Sequence, residues 1–111
     1  MEHTTRAQGG ATIVELSGDV DVGGAQVLRE TLADAIGAGT PVIVDLSEVR
    51  FIDSAGIGLL VTGHRRAAEQ RVAFAIAAPS EGAARVLSLT RTDRLLSVHA
   101  TLEEAIAAVS G

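Results

Sequence analysis

The chain has 111 residues, the length of one domain, with 47% hydrophobic residues and a formal net charge of −5. Its aromatic residues are Phe51 and Phe74, with no Trp or Tyr, which argues against base-stacking platforms for RNA or single-stranded DNA, and the negative charge opposes nucleic acid and anionic membranes while favouring partners with basic patches. There is no Cys and no Lys, so disulfides, thiolate metal sites and a P-loop are excluded.

The opening stretch MEHTTRAQGG has no positively charged lead into an apolar run, so it does not read as a signal peptide. No apolar run approaches the roughly 20 residues of a membrane span. A cytoplasmic protein with no direct membrane insertion is expected. Glu2 to Ala7 reads as a short first strand ended by Gly9-Gly10, with Ala11 to Leu16 as its hairpin partner. Ser17 to Asp21 reads as a polar break. A helix is predicted from about Gly24 to Ala38, because Ala25, Leu28, Leu32, Ala35 and Ile36 share one face. Pro41 to Leu46 is near-continuously apolar, like a strand buried on both faces of a parallel sheet. A short polar turn then leads through Phe51-Ile52 to a second helix, Ser54 to about Glu69, with Ile57, Leu60, Val61 and His64 on one face. Arg71 to Ala78 reads as a strand, Ser80 to about Leu89 as a short helix, and Leu95 to His99 as the last strand. Thr101 caps a final helix, with Glu104 at the capping-box position and Leu102, Ala105, Ile106 and Val109 on its apolar face.

This order predicts an α/β fold: one domain over residues 1–111, with a mixed, mostly parallel sheet of about five strands and four helices. Sites in such sheets form beyond the carboxyl ends of the strands. The loops there are Asp19-Val20-Asp21, Phe51-Ile52-Asp53-Ser54 and Ala78-Pro79-Ser80. They would gather three carboxylates and two serines at one end.

Ser54 has two compatible readings. Ser is a preferred N-cap residue, so the plain reading is a helix cap. A hydroxyl at a helix start is also exposed, and a phosphate there would meet free backbone N–H groups and the positive end of the helix dipole. It would add about −1.5 to −2 units of charge beside Asp53, Asp19 and Asp21, and a partner fitted to that surface would be repelled. A catalytic role for Ser54 is disfavoured. The nucleophile elbow G-x-S-x-G is absent, because Ile52 stands two residues before Ser54. His64 lies ten residues along the same helix, roughly 15 Å away. Gly56 and Gly58 do not complete a dinucleotide fingerprint, because the third glycine position is Val61. Those glycines read instead as allowing close approach of the helix start to the sheet or to another protein. Asp19 and Asp21 lack further ligands for a metal and read as turn and capping residues. No enzyme activity, cofactor or metal is expected.

The run Val44-Asp45-Leu46-Ser47-Glu48-Val49-Arg50-Phe51-Ile52-Asp53-Ser54-Ala55-Gly56-Ile57 resembles the signature of the STAS domain, in the stand-alone form of a bacterial anti-sigma factor antagonist. Leu16-Ser17-Gly18-Asp19-Val20-Asp21 resembles the family's second motif, at the expected distance. The resemblance covers essentially the whole chain and implies partner switching. Such proteins bind an anti-sigma factor with a serine-kinase fold and so release a sigma factor. The kinase phosphorylates the serine after the motif aspartate, which corresponds to Ser54, and a metal-dependent phosphatase acting on phospho-Ser54 resets the protein. ATP and metal belong to the partners. The partner-binding residues implied are Asp19, Asp21, Asp53, Ser54, Ala55, Gly56 and Ile57. Two departures stand out: Ala55 where many relatives have a second Ser, and Asp19 where Glu is common. The rival reading within the family is a STAS subunit of another regulatory assembly or of a lipid-transport complex.

Overall fold

The computed structural model describes residues 1–110. Gly9 and Gly10 both have positive φ, 60° and 79°, the backbone that a two-residue hairpin turn demands and that glycine adopts without strain. They join strand β1 (Glu2–Gln8) to strand β2 (Ala11–Val20), which pair antiparallel from Gln8↔Ala11 to Glu2↔Ser17. The remaining strands, β3 (Val42–Ile52), β4 (Phe74–Ala77) and β5 (Ser97–His99), add in parallel, and the sheet order is β1-β2-β3-β4-β5. Helices α1 (Ala25–Gly37), α2 (Ser54–Glu69), α3 (Glu81–Leu89) and α5 (Leu102–Ser110) agree with the four expected. The α/β architecture with a mixed sheet is therefore as anticipated.

The core has two parts because the sheet is covered on both faces. One cluster joins Val14, Leu16, Val42, Val44 and Leu46 to Leu28, Leu32 and Ile36 of α1, Ile57 and Leu60 of α2, and Leu87 of α3. The alternate residues Ala11, Ile13, Ile43, Ala75 and Ala77 face the other way, where Ala105, Leu102, Ile106 and Val109 of α5 pack on them. This period-two division is the reason β3 and β4 read as continuous apolar runs.

Several boundaries differ from the sequence reading. The expected polar break at Ser17–Asp21 is strand as far as Val20, and the expected turn after Leu46 is strand as far as Ile52. Bulges hide both extensions. From Glu15↔Asp45 to Val20↔Ile52, β2 advances five residues and β3 advances seven, so β3 carries two extra residues. Each bulge breaks the alternation by which a strand is recognised. Asp45 stabilises the first one: its carboxylate, buried at 5% exposure, accepts a hydrogen bond from the Ser47 N–H at 2.9 Å. The β4 strand is shorter than expected, since the chain turns through Arg71 at a φ of 59° and becomes regular only at Phe74. The expected strand Leu95–His99 begins at Ser97. Its start is taken by a one-turn helix, α4 (Thr92–Leu95), after Arg91 ends α3 in the left-handed region.

The late bulged part of β3 matters most for function. It carries Phe51, Ile52 and Asp53 beyond the level at which β4 ends, so α2 starts from a projecting corner of the sheet.

Candidate functional site

Asp53 organises this corner. Its backbone is extended (φ −97°, ψ −176°), and its Oδ1 accepts the Gly56 N–H at 3.0 Å. Asp53 is therefore the N-cap of α2. This corrects the plain reading of Ser54 as the cap: a carboxylate one residue earlier takes that role, and Ser54 is the first residue inside the helix. The other carboxylate oxygen of Asp53 accepts the Val22 N–H at 3.3 Å, and the Asp53 N–H donates to the Val20 carbonyl at 3.1 Å. One side chain thus ties the start of α2 to the segment that follows β2.

Ser54 is exposed, and its hydroxyl makes no side-chain hydrogen bond among the described residues. Among the described residues no histidine or carboxylate engages it as a base would. Ser80 contrasts with it. Its hydroxyl accepts the Ala83 N–H at 3.1 Å as the cap of α3 and donates to the Val49 carbonyl. Of the two serines expected at this end, only Ser54 is left without a side-chain hydrogen bond among the described residues. The third loop reaches β3 at Leu46 and Val49, short of the Asp53 corner, and Ser80 is committed to the fold.

The two other carboxylates lie on the Asp53 side. Asp21 caps a single 3₁₀ turn, Val22–Gly24, by accepting the Gly23 N–H at 3.0 Å. Asp19 sits beside Phe51 in the β2–β3 register and accepts from Arg50 Nε at 3.1 Å. That hydrogen bond and the charge behind it raise the pKa of the Arg50 guanidinium. All three carboxylates thus have local structural partners: the turn-and-cap reading holds for Asp21, whereas Asp19 lies within β2 and pairs with Arg50 across the sheet. No cluster of metal-ligating side chains occurs among the described residues.

Gly56 and Ile57 are placed inside rather than on the surface. A Cβ on Gly56 would lie 2.7 Å from Ile52 Cγ1, 2.9 Å from Val20 Cγ1 and 3.0 Å from the Val20 carbonyl oxygen. This glycine lets the first turn of α2 rest directly on the ends of β2 and β3. Ile57 is 8% exposed and belongs to the core. These two residues position the corner, while Ser54, Ala55 and the exposed Gly58 show on it.

Sequence reasoning named neither Val22 nor Phe51 as a contact residue, although Phe51 stood in one of the three expected loops. Val22 is 74% exposed and Phe51 is 50% exposed; the Val22 N–H bonds the Asp53 carboxylate, and Phe51 stands two residues before Asp53 in the chain. Phe51 alternates with the buried Ile52, a period-two signal that it points outward. Val22 stood unnoticed between a capping Asp and two glycines. Around Asp53 the chain thus leaves Val22, Phe51 and Ser54 exposed and Ala55 half-buried. Such a mixture suits contact with another protein.

Comparison with known proteins agrees with this geometry. The model of the STAS domain matches residues 2–105. A Thermotoga neapolitana protein described as a TM1081 homologue is 34% identical over 70 residues, which span 63% of this chain and 62% of that protein. The anti-sigma-F factor antagonist RsfB of Mycobacterium tuberculosis is 26% identical over 109 residues, 97% of this chain and 88% of RsfB. A crystal structure of an anti-sigma factor antagonist from Mycobacterium paratuberculosis has the same fold: the TM-score is 0.90 at 24% identity, covering 99% of this chain and 94% of that one. Among the described residues no helix is long and apolar enough to cross a membrane.

Proposed function

The chain belongs to the STAS domain family, and from that premise we propose that it is an anti-sigma factor antagonist that works by partner switching in the cytoplasm. It binds an anti-sigma factor with a serine-kinase fold through the Asp53 corner, and the binding releases a sigma factor. The kinase transfers a phosphoryl group from its ATP to the Ser54 hydroxyl. The phosphorylated protein dissociates, and a phosphatase acting on phospho-Ser54 returns it to the binding form. The chain itself brings no cofactor.

The observation that carries this reading is the separation of roles at the start of α2. Asp53 caps the helix, and the Ser54 hydroxyl is left exposed and without a side-chain partner among the described residues. A phosphate on the first helical residue faces the positive end of the helix dipole, so the helix tolerates it. The partner does not. About −1.5 to −2 units of charge arrive beside Asp53 and near Asp19 and Asp21, at a surface whose contact area comes from Val22 and Phe51. The long alignment to RsfB, named an anti-sigma-F factor antagonist, supports the same direction.

The test is to incubate the protein with its anti-sigma factor and ATP and to map phosphate by mass spectrometry. Phosphate on Ser54 is expected. Phosphate at another residue, or none with Ser54 intact, would overturn the site assignment.

A further inference from the structure

The free edge of the sheet is long and regular. Among the described residues strand β1 pairs only with β2, and all seven of its residues are exposed. The opposite edge, β5, has three residues and lies against α4 and α5. The register of β1 on β2 is unbroken from Glu2 to Gln8, without Pro or bulge. Apart from its charges, it has none of the features that keep an edge strand from pairing with another chain.

The hairpin turn determines which backbone groups are open. Gln8↔Ala11 closes a two-residue turn and is therefore a hydrogen-bonded pair. Alternation turns the N–H and C=O groups of Glu2, Thr4, Arg6 and Gln8 toward β2, and those of His3, Thr5 and Ala7 outward. Side chains alternate as well. Glu2, Thr4 and Arg6 stand on the face of Ile13 that α5 covers, and His3 and Thr5 stand on the face of Leu16 and Val14 that α1 covers.

A second copy of β1, antiparallel about a two-fold axis normal to the sheet, pairs each residue with one determined by the axis position. With the axis at Thr4, His3 and Thr5 exchange backbone hydrogen bonds with Thr5 and His3 of the second copy. In the same register Glu2 faces Arg6 of the second copy, and Arg6 faces its Glu2. Shifting the axis to Thr5 sets Arg6 against Thr4, shifting it to Arg6 sets two arginines together, and shifting it to His3 leaves Arg6 beyond the end of the other strand. Only the Thr4 register is charge-complementary. Arg6 already bonds Glu15 at 3.3 Å within the chain, while Glu2 has no ion pair among the described residues.

We propose that β1 is a homodimerisation edge: two copies of this chain join antiparallel about Thr4 into one continuous sheet, held by backbone hydrogen bonds and reciprocal Glu2–Arg6 pairs. The two-fold axis sends the two Ser54 corners in opposite directions, so both remain open. This assembly does not depend on what binds at Ser54.

Sedimentation equilibrium on the full chain at low salt tests the proposal. The protein is expected to dimerise reversibly. Glu2→Arg and Arg6→Glu each oppose like charges across the axis and weaken the dimer about tenfold. Mixed one to one, the two variants complement each other and recover the affinity of the unmodified protein. Circular dichroism on the same samples verifies that each variant is folded. The chain has no Cys, so Thr4→Cys gives a register-specific second test. Residues facing each other at a non-hydrogen-bonded pair lie about 4.5 Å apart at Cα, within disulfide reach. Oxidation is expected to cross-link Thr4→Cys faster than Gln8→Cys, because the Thr4 register sets the two copies of position 8 about eight residues apart along the strands, roughly 27 Å. A protein monomeric at millimolar concentration, a mixture no tighter than either variant alone, or equal cross-linking of the two cysteine variants would each overturn the proposal.

Discussion

Asp53 and Ser54 divide between them two tasks that a single residue often combines at the start of a helix. The Asp53 carboxylate accepts the Gly56 N–H at 3.0 Å and the Val22 N–H at 3.3 Å. The adjacent Ser54 hydroxyl therefore carries no structural duty and stands exposed. Stability and signalling are thus assigned to neighbouring side chains, and substitutions should separate them.

Asp53→Ala removes the cap and the tether to Val22 together. The expected loss is about 1–2 kcal/mol of folding stability, measured by urea denaturation. Ser54→Ala removes no cap and is expected to stay within about 0.5 kcal/mol of the unmodified protein. An equal loss from both would mean that the hydroxyl is also structural.

Gly56 and Gly58 should respond to Ala in opposite directions. At Gly56 the new methyl meets Ile52, Val20 and a backbone oxygen at 2.7 to 3.0 Å. Overpacking there costs about 1–3 kcal/mol, against a propensity gain of about 1 kcal/mol. At Gly58 nothing among the described residues lies within 4 Å of the methyl, so Gly58→Ala should stabilise the helix by up to about 1 kcal/mol. Thermal unfolding of the two variants checks the sign of each.

Val22→Ser and Phe51→Ala truncate side chains that already face solvent. Each should lower stability by at most about 1 kcal/mol. Each should weaken binding to the anti-sigma factor by about 1 kcal/mol or more, since exposed apolar side chains beside the switch residue supply the contact area. Calorimetric titration of both variants provides the comparison.

Ser54→Asp places a permanent anion on the first helical residue. Folding stability should hold or rise by a few tenths of a kcal/mol, up to about 1 kcal/mol, because the charge complements the helix dipole. Partner binding should fall. A variant that unfolds, or that binds as well as the unmodified protein, would contradict the charge mechanism.

Much of this architecture is legible in the chain. The 3.6-residue spacing of Leu28, Leu32, Ala35 and Ile36 marks α1, and all four are buried. The apolar runs around Val42–Leu46 and Phe74–Ala77 mark strands covered on both faces, and Ser54 does begin α2. The corner was harder to read. The bulges in β3 shift its alternation twice, so residues 47–52 resemble a turn although they extend the strand. Asp45 looks like an interruption of an apolar strand, yet it is the buried acceptor that shapes the first bulge. Capping preference ranks Asp and Ser alike, so type alone could not decide between Asp53 and Ser54; only the backbone geometry does. Val22 and Phe51 carry no chemistry of their own, and their importance comes from exposure beside Ser54.

Phosphate on Ser54 is expected to switch partner binding while the fold is kept. The most direct test is calorimetric titration of the anti-sigma factor with two preparations, the unmodified protein and the protein phosphorylated at Ser54, with circular dichroism recorded on both. Identical folded spectra are expected, with an affinity at least about tenfold weaker for the phosphorylated form, the scale of a like charge set against a fitted interface. Equal affinity of the two preparations would contradict the switch.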